Sequence, residues 1–374
     1  MTIVTDGEPV NSELRSCKEL RFQTKSEQVV VMEPLQYLSR RIFMLFMALF
    51  AVIVAMFIGL FTYRPEATPK MALAEPPALP SWKPKDILSE WESADPLVQE
   101  GYRLISESPK YMGPEAEDAK ARFTGNHLSC TNCHLKGGTQ AGSASWVGVT
   151  DRFPQFSGRA NEEGSIQDRI NGCMQRSMNG RKLPDDSGQM KAIVAYMEWL
   201  AADLPAEERA RYQGYAPLEI PGVAVDLDRG KEIYARDCAQ CHGQDGEGIS
   251  APDPTKGYLY PPLWGPDSYN DGAGMHRVLT AAAFIRSNMP FGLANRENPK
   301  LSDEEAYHVA GYINSFPRPH KPNTDRDYPD RKLKPVSTPY GPWADDFSPE
   351  QHKYGPFPPI IDYYREKFNI VKTK

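Results

Sequence analysis

Twice in this 374-residue chain, two cysteines stand three positions apart with a histidine directly after the second. The runs are Cys130-Thr131-Asn132-Cys133-His134 and Cys238-Ala239-Gln240-Cys241-His242. Thiols at that spacing reach the two vinyl groups of one haem and form thioethers, and the adjacent imidazole enters the iron's proximal position. A zinc or redox reading of the same pairs needs further Cys or His ligands at matching spacing, and the sequence offers none. Two covalently bound haem c groups are therefore expected, one on Cys130, Cys133 and His134 and one on Cys238, Cys241 and His242.

Each iron then has a sixth position to fill. After His242 the candidates are Met275 and Met289. Met289 is followed by Pro290 and stands just ahead of a last helical stretch, the place expected of a ligand loop in a class I cytochrome c. Met275 follows the run Asp271-Gly272-Ala273-Gly274 and reads as a loop or packing methionine. After His134 no Met-Pro pair precedes the closing helix; Cys173 stands there instead. On a helix at about 100° per residue, Ile166, Ile170, Met174 and Met178 form an apolar stripe. Cys173 falls at its border, in line with Arg169 and Ser177 one turn away on either side. A free cysteine is ordinarily a small buried hydrophobe. Cationic neighbours lower its pKa, however, and a thiolate can serve as a haem ligand. The expected metal ligands are therefore His134 and Cys173 at the first iron, and His242 and Met289 at the second.

The elements that must position these groups follow one plan used twice: a helix, an attachment motif, a long loop region and a closing helix. Helical stretches are expected at Asp95–Ser106, Ser165–Met178 and Ser187–Leu200 around the first motif. Around the second they are expected at Asp228–Asp237 and Ser302–Phe316, with Ser302 and Glu305 forming a capping box. Ahead of both lies Ile42–Phe61, an apolar run without a charge that is long enough for a transmembrane helix. Arg40 and Arg41 precede it and Arg64 and Lys70 follow, so the charge bias for orientation is weak. Haem c attachment outside the bacterial cytoplasm orients it instead, N-terminus in. A cleaved signal ending at Ala72-Leu73-Ala74 is the rival, disfavoured by the charged stretch between and by the long polar lead.

The resulting expectation is an all-α chain with two class I cytochrome c-like domains in tandem, preceded by one transmembrane helix. The segments are a cytoplasmic head at 1–41, carrying Cys17 with no assigned role, the membrane helix at 42–62 and a Pro-rich linker at 63–92. A first cytochrome domain follows at 93–203, a linker at 204–225, a second domain at 226–318 and a C-terminal extension packed on the domains at 319–374. The expected location is the inner membrane, single-pass, with the haem domains periplasmic. A net charge of −6 gives no basic field for nucleic acid, so none is expected as a partner.

The stretch from Phe153 to Leu183, with its Arg-Ile-Asn-Gly-Cys and Arg-Ser-Met-Asn-Gly strings, resembles the thiosulfate dehydrogenases, dihaem cytochromes c related to the SoxA cytochromes. Tyr260-Pro261-Pro262-Leu263-Trp264-Gly265, Asn288-Met289-Pro290 and Gln351-His352-Lys353-Tyr354-Gly355-Pro356 fit the same family. The resemblance implies oxidation of two thiosulfate to tetrathionate at the first haem, with electrons passing through the second to a cytochrome or other redox protein. It also implies a catalytic group at Cys173, Arg159, Arg169 and Ser177. Some members carry a lysine beside the ligand methionine that exchanges with it; Asn288 in that place removes such a switch here. Two further readings stay open: a non-catalytic, membrane-anchored electron carrier, and an enzyme working mainly as a tetrathionate reductase.

Overall fold

The computed structural model describes residues 24–62 and 82–373. They form two units, a lone N-terminal helix and a compact body. Helix α1 (Thr24–Thr62) contains a window, Gln36–Ile58, of mean hydropathy 2.6, long and apolar enough to cross a membrane. The helix starts well before the expected span because the polar stretch from Thr24 onward continues it. Cys17, the Ala72–Ala74 candidate cleavage site and residues 63–81 of the expected linker lie outside the described residues.

In the body, α2 (Pro96–Ser106), α3 (Ile166–Arg176) and α4 (Gly188–Leu200) surround the first motif. Helices α5 (Leu227–Asp237), α6 (Val278–Asn288) and α7 (Asp303–Ser315) surround the second. Side-chain caps start five of the six: Asp95, Ser165, Ser187, Asp226 and Ser302 each accept from a backbone N–H in the first turn. The Ser302–Glu305 capping box forms as the sequence indicates.

The first helix of each half crosses its closing helix at a glycine. A methyl group on Gly101 of α2 would lie 2.8 Å from Cβ of Tyr196 on α4, and one on Gly230 of α5 would lie 2.7 Å from Cβ of Tyr312 on α7. Only glycine lets the backbones approach this closely. Two separate apolar cores result. One gathers Ile105, Met112, Ile170, Met174, Leu183, Met190 and Tyr196; the other gathers Ile233, Val278, Leu279, Tyr307, Val309 and Ile313.

The connections are less loose than their composition suggests. Ile87 joins the first core and Trp82 packs edge-on against Tyr212, so residues 82–92 of the expected linker belong to the folded body. Phe357, Ile360 and Tyr364, the last two from α8 (Pro358–Phe368), complete the second core. Two hairpins interrupt the otherwise helical body: β1 (Gln155–Ser157) pairs antiparallel with β2 (Glu162–Gly164), and β3 (Ile249–Ser250) with β4 (Tyr258–Tyr260). Strands of two or three residues are too short to show an alternating pattern, which is why the all-helical expectation omits them.

Candidate active site

Cys130, Cys133 and His134 line one wall of a cleft whose other walls carry Arg169, Cys173 and Ser177 from α3 and the turn after it. The lining between them is largely apolar, with Trp146, Ile170, Met174, Met178, Ile193 and Met197, and it contains no carboxylate. His134 Nδ1 lies 2.8 Å from the Ala144 carbonyl, which fixes the ring as an Nδ1–H donor and leaves Nε2 free to bind a metal. Two thiols, an oriented imidazole and apolar walls suit a covalently held porphyrin. The Cys173 thiol lines the same cleft as His134.

Burial pushes the Cys173 thiol up, but Arg169 and His134 more than offset it and bring it down to about 6. Arg169 Nη1 donates to Cys173 Sγ at 3.3 Å, with the arginine surrounded by protein yet open toward the cleft. A cation at hydrogen-bond distance favours the thiolate.

Domain-spanning contacts hold α3 in place. Asn270 donates its backbone N–H to the Arg176 carbonyl at 3.2 Å and its side-chain amide to the Gln175 carbonyl at 3.0 Å. Asn126 Nδ2 bridges the carbonyls of Ser177 and Ser268 at 2.9 and 3.2 Å. These bonds take up carbonyls that a helix end otherwise leaves unsatisfied. Arg176 Nη2 reaches Asp327 Oδ1 at 2.7 Å, tying the same turn to the C-terminal extension.

At the second motif, His242 Nδ1 lies 2.8 Å from the Pro261 carbonyl, the same orienting bond as at His134. Burial lowers the His242 pKa, keeping the imidazole neutral as a metal ligand requires. Cys238 and Met289 pack against the second core. Asn288, fully buried, donates to the carbonyls of Gly142 and Phe284 at 3.0 and 2.8 Å and accepts from Gln140 Nε2 at 2.7 Å. Met275 lines the first cleft, and its sulfur accepts from the Tyr215 hydroxyl at 3.8 Å.

Comparison with known proteins fits these two sites. Residues 118–206 match the SoxA/TsdA cytochrome c domain, and residues 227–317 match cytochrome c. The thiosulfate dehydrogenase of Stutzerimonas stutzeri (strain A1501) is 41% identical over 226 residues, covering 60% of this chain and 69% of that protein. That of Allochromatium vinosum is 38% identical over 249 residues, covering 66% of this chain and 87% of the relative. The chain belongs to the TsdA-type thiosulfate dehydrogenase family, related to the SoxA cytochromes. A solved structure of thiosulfate dehydrogenase TsdBA from Marichromatium purpuratum in its as-isolated form is 34% identical with a TM-score of 0.56, covering 65% of this chain and 50% of that one. The two cytochrome c domains carry two covalently attached c-type haems.

Against the pattern of this thiosulfate dehydrogenase family, the structure brings Cys173, Arg169 and Ser177 together in one cleft with His134. It places Arg159 differently. Arg159 is absent from the lining, and its guanidinium donates to Asp327 and to the Tyr340 hydroxyl, the latter at 2.9 Å. Sequence reasoning missed Arg152, Tyr215 and Tyr269 in the lining and Asp327 behind it. No spacing rule connects them to Cys173. They arrive from a short turn, the inter-domain connection, the second domain and the extension.

Proposed function

We propose that the first cleft oxidises thiosulfate: two molecules couple through their outer sulfurs to one tetrathionate as two electrons leave. Thiosulfate dehydrogenases align with most of the body at 38% to 41% identity, and the site chemistry supports the reading. The observation that carries the reading is Cys173 Sγ facing His134 in one cleft, with Arg169 Nη1 3.3 Å from the sulfur. In this reading His134 and Cys173 would hold the first haem iron, and His242 and Met289 would hold the second. When bound, the two haems supply one-electron acceptors, the thiolate-ligated one lying lower in potential than the Met-ligated one. Arg169 holds the Cys173 sulfur as thiolate and offers its remaining N–H donors to sulfonate oxygens. Ser177 adds a hydroxyl at the same rim. Arg159 braces α3 from behind through Asp327, which it shares with Arg176.

Helix α1 serves in this proposal as an inner-membrane anchor, N-terminus cytoplasmic, with both haem domains periplasmic where haem c is attached. The electrons pass to a soluble or membrane-bound redox protein such as a cytochrome.

Purified holoprotein tests the reaction. Thiosulfate should reduce both haems and yield tetrathionate, and Cys173→Gly should lower turnover by about a hundredfold or more. Low-temperature EPR should show a His/thiolate ferric signal that the variant loses. Full turnover by Cys173→Gly would sink the proposal.

A further inference from the structure

Asn288 is the last residue of α6 and the neighbour of Met289, and its side chain is fully buried. A buried amide side chain must find partners for its carbonyl and its N–H groups. One partner, the Phe284 carbonyl at 2.8 Å, lies within α6 itself. The others come from the first domain. Asn288 Nδ2 donates to the Gly142 carbonyl at 3.0 Å, and Asn288 Oδ1 accepts from Gln140 Nε2 at 2.7 Å. Met289 follows directly, its backbone N–H donating to the Ile285 carbonyl at 2.8 Å. Whatever fixes the end of α6 therefore fixes the start of the Met289 loop.

Gln140 and Gly142 belong to the loop that follows the first haem motif, and that loop is braced in turn. Gln140 donates its backbone N–H to the Leu135 carbonyl at 3.2 Å, and its own carbonyl accepts from the Ser143 hydroxyl at 2.8 Å. Gly142 has φ +86, and a methyl group there would lie 3.3 Å from Cβ of Ser287, so glycine lets the loop close on the helix end. Two positions on, the Ala144 carbonyl orients His134. One loop of the first domain thus holds a ligand of its own haem and the neighbour of a ligand of the other.

We propose that Gln140 is a positioning residue for the second haem, holding Met289 in place from across the domain boundary. The proposal rests on the reading of Met289 as a ligand of the second iron. Without the Gln140 amide, Asn288 Oδ1 is a buried acceptor with no donor, a cost relieved when the end of α6 moves and takes Met289 with it. Losing that donor should weaken Met289 as a ligand. Because methionine raises a haem's potential, the midpoint of the second haem should fall.

The test uses the full holoprotein with both haems and the variant Gln140→Leu, which keeps the bulk of the side chain and removes its donor. The far-red absorption band of a ferric His/Met haem reports on Met289, and added imidazole competes with it for the iron. Gln140→Leu should raise the apparent affinity for imidazole, read from loss of that band, by about tenfold. It should also lower the midpoint of the second haem, with the EPR signal of the first unchanged. In an Asn288→Leu background, which has no amide to satisfy, Gln140→Leu should add nothing further. Arg296→Ala is the control. Arg296 Nη1 donates to the Arg211 carbonyl at 2.6 Å and so ties the chain beyond Met289 to the inter-domain connection without touching Asn288. Its loss should leave imidazole affinity and midpoint as in the wild type.

Wild-type imidazole affinity and midpoint in Gln140→Leu would overturn the inference and leave Met289 as the ligand. Equal shifts in Arg296→Ala would also overturn it, because any loosening of the domain joint would then suffice. A wild type without the far-red band would remove Met289 from the iron, and the inference would fall with that reading.

Discussion

Arg169 and Arg159 stand in the same motif-bearing stretch but meet different partners. Arg169 lies one turn before Cys173 on α3, so helical periodicity alone puts its guanidinium beside the sulfur. The partner of Arg159, Asp327, lies in the C-terminal extension, and nothing local in the sequence announces it. Burial raises the Asp327 carboxyl pKa, while Arg159 and Arg176 outweigh that and hold it below the usual range. The two arginines should therefore fail differently. Arg169→Ala should cut kcat/KM for thiosulfate by about a hundredfold, as expected when a charge-assisted donor at the reacting centre is removed, with little change in thermal unfolding. Arg159→Ala leaves Asp327 with one of its two cations and should cost about 2 kcal/mol of stability, less than full breakage of a buried pair. Denaturant midpoints and steady-state kinetics on both variants separate the two roles. Equal activity losses at equal stability would place Arg159 at the substrate instead.

Among the elements, the amphipathic helices were legible because caps and apolar stripes are local. Ser165, Ser187 and Ser302 mark helix starts, and Ile170 and Met174 fall into the core as their spacing requires. The two hairpins were not legible because their strands are too short to alternate, and the clamp that Asn126 and Asn270 place on the end of α3 was not because its bonds join residues tens of positions apart. Helix α1 shows what composition can decide. Its 23-residue window, Gln36–Ile58, would reach about 35 Å at the usual helical rise, enough for a hydrocarbon core of about 30 Å. None of that window is buried inside the protein. An exposed apolar surface of this extent needs a lipid or protein partner. Full-length protein should sediment with membranes and resist extraction by salt or carbonate, whereas residues 82–374 exported behind a cleavable signal should stay soluble with both haems attached. Release of the full chain by a salt wash would contradict an integral anchor.

At the scale of the whole body, the doubled motif made two cytochrome domains readable, but the way they are joined depends on pairings between distant residues. His127, just ahead of the first haem motif, is one of these joints. Its Nδ1 lies 3.0 Å from Asp267 in the second half, its backbone N–H donates to the same carboxylate at 3.2 Å, and its Nε2 lies 3.3 Å from Glu115. Burial lowers the His127 pKa, but the Asp267 and Glu115 carboxylates more than compensate, and the net shift is upward. A raised folded-state pKa makes the protonated joint stabilising. That contribution is fully present below the unfolded value of about 6.5 and fades as pH rises through the higher folded value. The ring is 35% exposed, so solvent screening keeps the effect small, about 0.5 kcal/mol or one to two degrees in Tm. His127→Gln should remove this increment. The difference in Tm between wild type and variant should be largest near pH 5.5 and shrink toward pH 9, read from thermal unfolding followed by far-ultraviolet circular dichroism. A difference that grew with pH would mean that the neutral imidazole, accepting rather than donating, joins the two halves.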